Sequence, residues 1–348
     1  MRGAGAVPVV AAKSWKGNIG VYVTGLGSVT PLYTVNVASQ IAGYLTEVLY
    51  KQGQLVHKGD LLALIDPRPY QVALENAQAM LARDTATYNN AIVDLKRYQT
   101  LVPLNAEPEQ TLATQQATVK SDAAILKTDQ GAIDAARLNL TYCHITAPIT
   151  GRVGLRLVDP GNYVQAGSTA LVVITQIQPI TVIFPISEDQ LPEVFKRWHA
   201  GERLPVYAYD RTNTTKIATG YLETIDNEID PTTGTIKLRA RFSNPEGDLF
   251  PNEFVNARLL VEEKRGTTLI PAAAVQRGAQ GTYVFLVQPN STAAMQTVKV
   301  GTTEGSTTQV LSGVTPGQEV IITGVDELQQ GSKVHVHLAT VPPGSTAQ

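Results

Sequence analysis

The residues most able to do chemistry are few. His335 and His337 alternate with Val334 and Val336, so both rings fall on one face of a strand, where they could pinch a metal ion. The solvent face of a C-terminal strand explains the same pattern, and we adopt that explanation. Cys143 and His144 are adjacent. A thiol–imidazole couple needs a third group to orient the imidazole, and none lies nearby in sequence, so the two read as a structural pair at a helix–strand junction. Lys96, Lys120 and Lys127 could each be a covalent attachment point, but all three fall in a segment with helical grammar, where a solvated face is the default. The chain has no glycine-rich loop ending in Lys-Ser/Thr and no His-Glu-x-x-His. With one cysteine and three methionines, it has neither a multi-cysteine zinc site nor a soft-metal site. These residues imply no catalytic centre, no cofactor and no resident metal.

Charge and composition narrow the class further. Lys and Arg number 28 against 30 Asp and Glu, a net charge of −2, so no basic excess points to nucleic acid. At 348 residues the chain is too long for one core, and several domains are expected. The longest apolar runs, such as Leu61 to Ile65 and Ala170 to Ile174, fall far short of the roughly 18 residues a membrane span needs. Ala6 to Ala12 is too short for a signal peptide and is broken by Pro8.

An internal repeat organises the first half. Ile41, Gly43, Leu45, Leu49, Gly53, Val56 and Gly59 recur 108 residues later as Ile149, Gly151, Val153, Leu157, Gly161, Val164 and Gly167. Each copy ends in an apolar run and reads as about four short strands joined by glycine turns. Neither copy can stand alone, so the two pack as a small β-sandwich. The segment between them is different. Leu74, Leu81, Tyr88, Leu95 and Val102 repeat every seven residues, as do Leu112, Val119, Leu126, Ile133 and Leu140. Small or polar residues fill the intervening seam positions: Ala77, Ala91, Ala123, Ala136, Gln116 and Gln130. Pro103 and Pro108 sit between the two arms, Pro108 suiting the first turn of a second helix. The pattern predicts an antiparallel hairpin with arms of about 33 residues, roughly 50 Å long. A split sandwich of this kind also serves as a lipoyl or biotinyl carrier, but that chemistry needs a lysine on a tight turn joining the halves. Here the hairpin joins them instead.

Beyond Thr175 the grammar returns to strands. Ile236, Leu238, Ala240 and Phe242 alternate with Lys237, Arg239 and Arg241 after a turn at Asp230-Pro231-Thr232-Thr233-Gly234. Val255, Ala257, Leu259 and Val261 continue the alternation. The expected fold is mainly β with an inserted α-helical coiled-coil hairpin. Its expected parts are an N-terminal linker (1–18), the first strands of the two C-terminal β-domains (19–37), the sandwich halves (38–66 and 143–176), the hairpin (67–142), a β-barrel (177–262), a final β-domain (263–338) and a disordered tail (339–348).

This plan resembles the periplasmic adaptors, or membrane fusion proteins, of tripartite efflux pumps (the HlyD/AcrA superfamily). Gly43-Tyr44-Leu45 with Val56-His57-Lys58-Gly59-Asp60-Leu61-Leu62 looks like that family's first lipoyl half, and Ile145-Thr146-Ala147-Pro148-Ile149-Thr150-Gly151 like its second. Asp230 to Thr235 and Phe250-Pro251-Asn252-Glu253-Phe254-Val255 look like its barrel signature. Within the family the match is closest to the MdtA-type adaptors of resistance-nodulation-division (RND) multidrug transporters. The resemblance implies a non-enzymatic protein of the periplasm, tethered to the inner membrane by an N-terminal anchor absent from this chain. It implies a homo-oligomer, typically a hexameric ring, linking an inner-membrane RND transporter to an outer-membrane channel of the TolC type. An ABC-type exporter is the alternative inner-membrane partner, and the final β-domain would be membrane-proximal. The family's tip pattern, Arg-x3-Leu-x6-Ser, is met by Arg97 and Leu101, but Pro108 stands in the serine's place. The implied channel contacts are Arg97, Leu101, Leu104 and Pro108.

Overall fold

The computed structural model describes residues 6–279 and 281–339. They fall into two compact units, one of residues 31–177 and one formed by residues up to Thr30 together with those from Gln178 onward.

In the first unit, eight short strands form two four-stranded sheets. One runs Thr34–Ala38, Ala170–Thr175, Gly151–Val153, Leu55–Val56. The other runs His144–Thr146, Leu61–Ile65, Gly43–Val48, Tyr163–Val164. The 108-residue repeat relates the two sheets strand for strand, and each sheet takes strands from both copies. The sandwich therefore cannot close until the residues on both sides of the hairpin have come together. Leu45, Ile65, Val164, Val172 and Ile174 fill the space between the sheets. The repeated glycines have two separate causes. Gly53, Gly59, Gly161 and Gly167 all have positive φ, which L side chains rarely adopt. Gly43 and Gly151 instead sit in close contacts: a Cβ on Gly151 would lie 2.6 Å from the Thr175 carbonyl oxygen.

Two 34-residue helices, α1 (Arg68–Leu101) and α2 (Glu109–Tyr142), form the hairpin. Helix α1 begins immediately after Pro67, and Arg68 Nη2 holds Asp66 at 2.6 Å. A single 3-10 turn, Val102–Leu104, follows α1, and Asn105 reverses the chain at φ 57°. Pro108 lies one residue outside α2, extended at φ −71° and ψ 147°, and so precedes the helix rather than occupying its first turn. Glu109 in that first turn suits the positive end of the helix dipole.

The large heptad residues line the seam as the spacing predicts, with Ile133 buried and Leu74, Leu81, Tyr88, Leu95, Leu112, Val119 and Leu126 half-buried. The intervening layer differs from expectation in α2. Gln116 and Gln130 are exposed, and the inward positions are Gln115, Asp122, Asp129 and Ala136, three residues after each large one. Their counterparts in α1 are Ala77, Asp84, Ala91 and Tyr98. The buried alanines Ala77, Ala91 and Ala136 set this choice, because they let the backbones approach closely. Gln115 Nε2 uses that approach to donate to the Ala91 carbonyl at 2.9 Å.

The second unit holds a closed six-stranded barrel. Its order is Pro205–Tyr209, Lys216–Asp230, Thr235–Phe242, Ile180–Ser187, Trp15–Pro31, Phe254–Pro271, and the first strand pairs with the last through Val206 and Leu259. Phe184, Leu238, Phe242, Val255 and Leu259 point inward, so the predicted alternation holds. Gly25 and Gly27 lie where Trp15–Pro31 passes Ile180–Ser187, and a Cβ on Gly25 would collide with the Pro185 carbonyl oxygen. A short helix, α3 (Leu191–His199), anchors to this unit through buried Val194.

Two expected boundaries move. Within the expected 1–18 linker, the residues described from Ala6 onward are not a linker. Val7–Lys13 is a strand between Glu319–Thr323 and Val334–Leu338, with Val9 and Ala11 buried. Pro8 is tolerated there because the antiparallel ladder starts only at Val10, so no ladder donor is lost. Thr34–Ala38 belongs to the sandwich, as partner of Ala170–Thr175, and not to the β-domains. The boundary expected between 262 and 263 falls within one strand, Phe254–Pro271, whose later residues, Thr268–Pro271, pair with Thr307–Val310. The expected tail, beyond Ala339, lies outside the described residues.

Candidate functional site

The hairpin tip is the structure's most sharply built surface feature. Both helices leave and rejoin the sandwich at its own strands, so the 102–108 turn lies at the far end of the rod from the sandwich core. The turn is closed by its own backbone: Asn105 N–H donates to the Val102 carbonyl at 3.0 Å and Ala106 N–H to the Leu101 carbonyl at 3.2 Å. This rigid turn presents Leu104, 70% exposed, beside exposed Pro103 and Pro108. Leu101 is half-buried and supports the turn from below.

Arg97 lies one helical turn before Leu101 and on the same face. Its Nη1 pairs with Asp94 Oδ1 at 3.2 Å, with the side chain still 63% exposed. That pairing orients the guanidinium but leaves donors for a partner's acceptor. Pro108 has no N–H and adds only an apolar ring. Glu107 and Glu109 flank it, a negative rim that the tip pattern alone did not reveal. The four predicted tip residues thus fall into two roles: Arg97 and Leu104 are available to a partner, while Leu101 and Pro108 shape the turn.

The other candidate chemistry stays apart. His335 and His337 share a face, with ring centroids 5.0 Å apart, and both are exposed. No group of three or more metal-binding side chains occurs among the described residues. Cys143 is buried at the end of α2, where burial pushes its thiol up, away from the thiolate form a nucleophile needs. His144 beside it points outward. Lys96, Lys120 and Lys127 are exposed on the helices. No helix among the described residues is long and apolar enough to cross a membrane. The arrangement offers binding surfaces, centred on an apolar knob with a guanidinium one turn below it.

Comparison with known proteins accounts for each part of the chain. Residues 33–176 match the barrel-sandwich hybrid domain of RND MFPs, residues 179–263 their beta-barrel domain, and residues 267–336 the C-terminal permuted SH3-like domain of YknX. The chain is 45% identical over 347 residues to the multidrug resistance protein MdtA of Klebsiella pneumoniae, covering 99% of this chain and 84% of that one. It is 44% identical over 334 residues to MdtA of Yersinia enterocolitica, covering 94% and 75%. Among solved structures it is similar to a MacA-MexA chimeric protein carrying the Pseudomonas aeruginosa MexA alpha-hairpin domain (TM-score 0.54, 28% identity, 88% of this chain and 98% of that one). MacA of Actinobacillus actinomycetemcomitans shares the fold, with a TM-score of 0.53 and 24% identity over 89% of this chain and 98% of that one.

Proposed function

The chain belongs to the RND membrane fusion protein family, and from that membership we propose that it is the periplasmic adaptor of a multidrug efflux pump. The observation that carries the reading is the two-helix rod inserted in a split sandwich, with an exposed apolar tip, in a chain 45% identical to MdtA over nearly its whole length. An RND transporter is favoured over an ABC-type exporter, because the sandwich and the barrel both match RND domains.

In mechanism the adaptor moves nothing itself and catalyses nothing. The hairpin holds its tip about 50 Å from the sandwich at 1.5 Å per residue. Leu104 enters an apolar recess of an outer-membrane channel of the TolC type, and Arg97 donates to an acceptor on its wall. The β-domains hold the inner-membrane transporter, and the protein is tethered to that membrane. Copies associate side by side into a ring, hexameric in this reading, that seals the conduit between the two partners.

The test is capture in living cells. A photo-crosslinking amino acid replaces Leu104 in the membrane-anchored protein, and the adduct is identified by mass spectrometry. Recovery of an outer-membrane channel supports the reading. Capture confined to soluble proteins, in a strain whose drug resistance depends on this protein, refutes the docking role of the tip.

A further inference from the structure

The seam of the hairpin contains a layer that an adaptor's spacer does not need. Asp84 of α1 and Asp129 of α2 occupy inward positions in the middle of the rod, and Asp122 lies one heptad before Asp129 on the same face. Most coiled-coil seams put apolar residues here. Asp84 is satisfied, because Arg83 clasps it with two bonds, Nε to Oδ1 at 2.8 Å and Nη2 to Oδ2 at 2.9 Å. Asp129 has no such cation. Its Oδ2 is buried and accepts no hydrogen bond, and the same is true of Asp122 Oδ2. A buried acceptor without a donor is costly, and a proton is the simplest donor that could supply one.

We propose that Asp84 and Asp129 share a proton across the two arms, so that the middle of the hairpin is locked in acid and loosened as pH rises. With the proton present, Asp129 donates to the Asp84 carboxylate and bonds α1 to α2. Without it, two carboxylates face each other across a narrow seam.

The surroundings agree. Burial raises the Asp129 carboxyl above its ordinary range, and the facing Asp84 charge adds to the effect. The Arg83 clasp lowers Asp84. The two carboxyls are thus pushed apart in opposite directions, the pattern of a pair that holds one proton between them. The groups facing Asp129 are Asp84 and Arg83 from α1. On α2, Asp122 lies one heptad away, and Lys127 is exposed to solvent. Arg83 is spent on Asp84 and opposes the shift only weakly. A group whose folded-state proton affinity is raised stabilises the fold when protonated and loses that contribution as pH climbs through its folded value. For Asp129 the hairpin therefore gains stability on acidification. This inference concerns the hairpin alone and does not depend on the adaptor role.

Asp129→Asn tests it in the full chain, because asparagine donates permanently and carries no charge. Helical melting is followed by circular dichroism at 222 nm, a signal dominated by α1 and α2. At pH 8 the variant melts above the parent by about 4 °C or more, and the gap is narrower at pH 4.5, because acid favours the protonated parent. Asp129→Leu, which fills the position with an apolar side chain, also flattens the pH dependence. A gap of the same size at both pH values overturns the proposal, as does a parent hairpin that gains as much stability as Asp129→Asn between pH 4.5 and pH 8.

Discussion

Replacing Ile133 by alanine isolates the physics of the rod. Only Ala77, Ala91, Ile133 and Ala136 are buried in α1 and α2, and Ile133, 3% exposed, is the one large side chain among them. Truncating a buried isoleucine to alanine costs 2–5 kcal/mol in most cores, and the two-helix seam can relax partway into the gap, so we take about 3 kcal/mol. That lowers the folded-to-unfolded ratio of the hairpin by about a hundredfold. For a unit of this size the helical midpoint should fall by roughly 12–24 °C. Two probes separate this loss from any damage elsewhere. The 222 nm signal reports α1 and α2. The two tryptophans, Trp15 and Trp198, both lie in the barrel-containing unit and report only that unit. The variant should show a helical transition shifted down and a tryptophan transition left in place. A helical shift under about 3 °C would mean that the seam is not held by burial at Ile133, and the packing argument would fail. Equal shifts in both probes would mean that the loss is not confined to the hairpin.

Other substitutions test other joints. Gly25→Val places a side chain against the Pro185 carbonyl where the Trp15–Pro31 and Ile180–Ser187 strands touch; the tryptophan transition should drop by an amount equivalent to about 3 kcal/mol or more, while the helical signal holds. Asn244→Ala removes a buried side chain that donates to the Leu249 carbonyl and accepts from its N–H, both at 3.0 Å, at a backbone φ of 52°; denaturant titration should show a loss of about 1–3 kcal/mol. Arg97→Asp should leave both melting transitions within about 0.5 kcal/mol, because an exposed ion pair contributes little. Capture of the channel from position 104 should nonetheless fall in that variant; unchanged capture would remove Arg97 from the contact.

Where one physical pattern dominated, the sequence was readable. The heptad residues had only each other to pack against, so spacing alone placed both arms, which end within a residue or two of the expected bounds. The repeat was equally plain, because each copy needs the same positive-φ glycines, Gly53 and Gly59 in one and Gly161 and Gly167 in the other. What was hidden was long-range pairing. Val7–Lys13 looks like a linker because Pro8 interrupts it, and only its neighbours more than 300 residues away make it a strand. The barrel likewise closes through Val206 and Leu259, which no local pattern connects. At the tip, Arg97 and Leu101 were named through the family's Arg-x3-Leu pattern, and their contact with a channel is a proposal. The division between Leu104 at the surface and Leu101 beneath it required the turn at Asn105.

The seam shows most clearly why position mattered more than composition. A shift of one residue in α2 separates Gln116 and Gln130, which read as tolerable polar fillers, from Gln115 and Asp129, which face the partner helix. Glutamine at 115 finds a backbone acceptor because Ala91 brings the carbonyl within 2.9 Å. Aspartate at 129 finds only another carboxylate. One helix pair thus contains both a satisfied polar contact near its tip and an unsatisfied one at its middle. The satisfied contact bonds the two arms independently of pH. The unsatisfied one makes the stiffness of the rod depend on protons. If Asp129→Asn abolished pH sensitivity and Gln115→Leu left it intact, these two roles would be separated experimentally within a single seam.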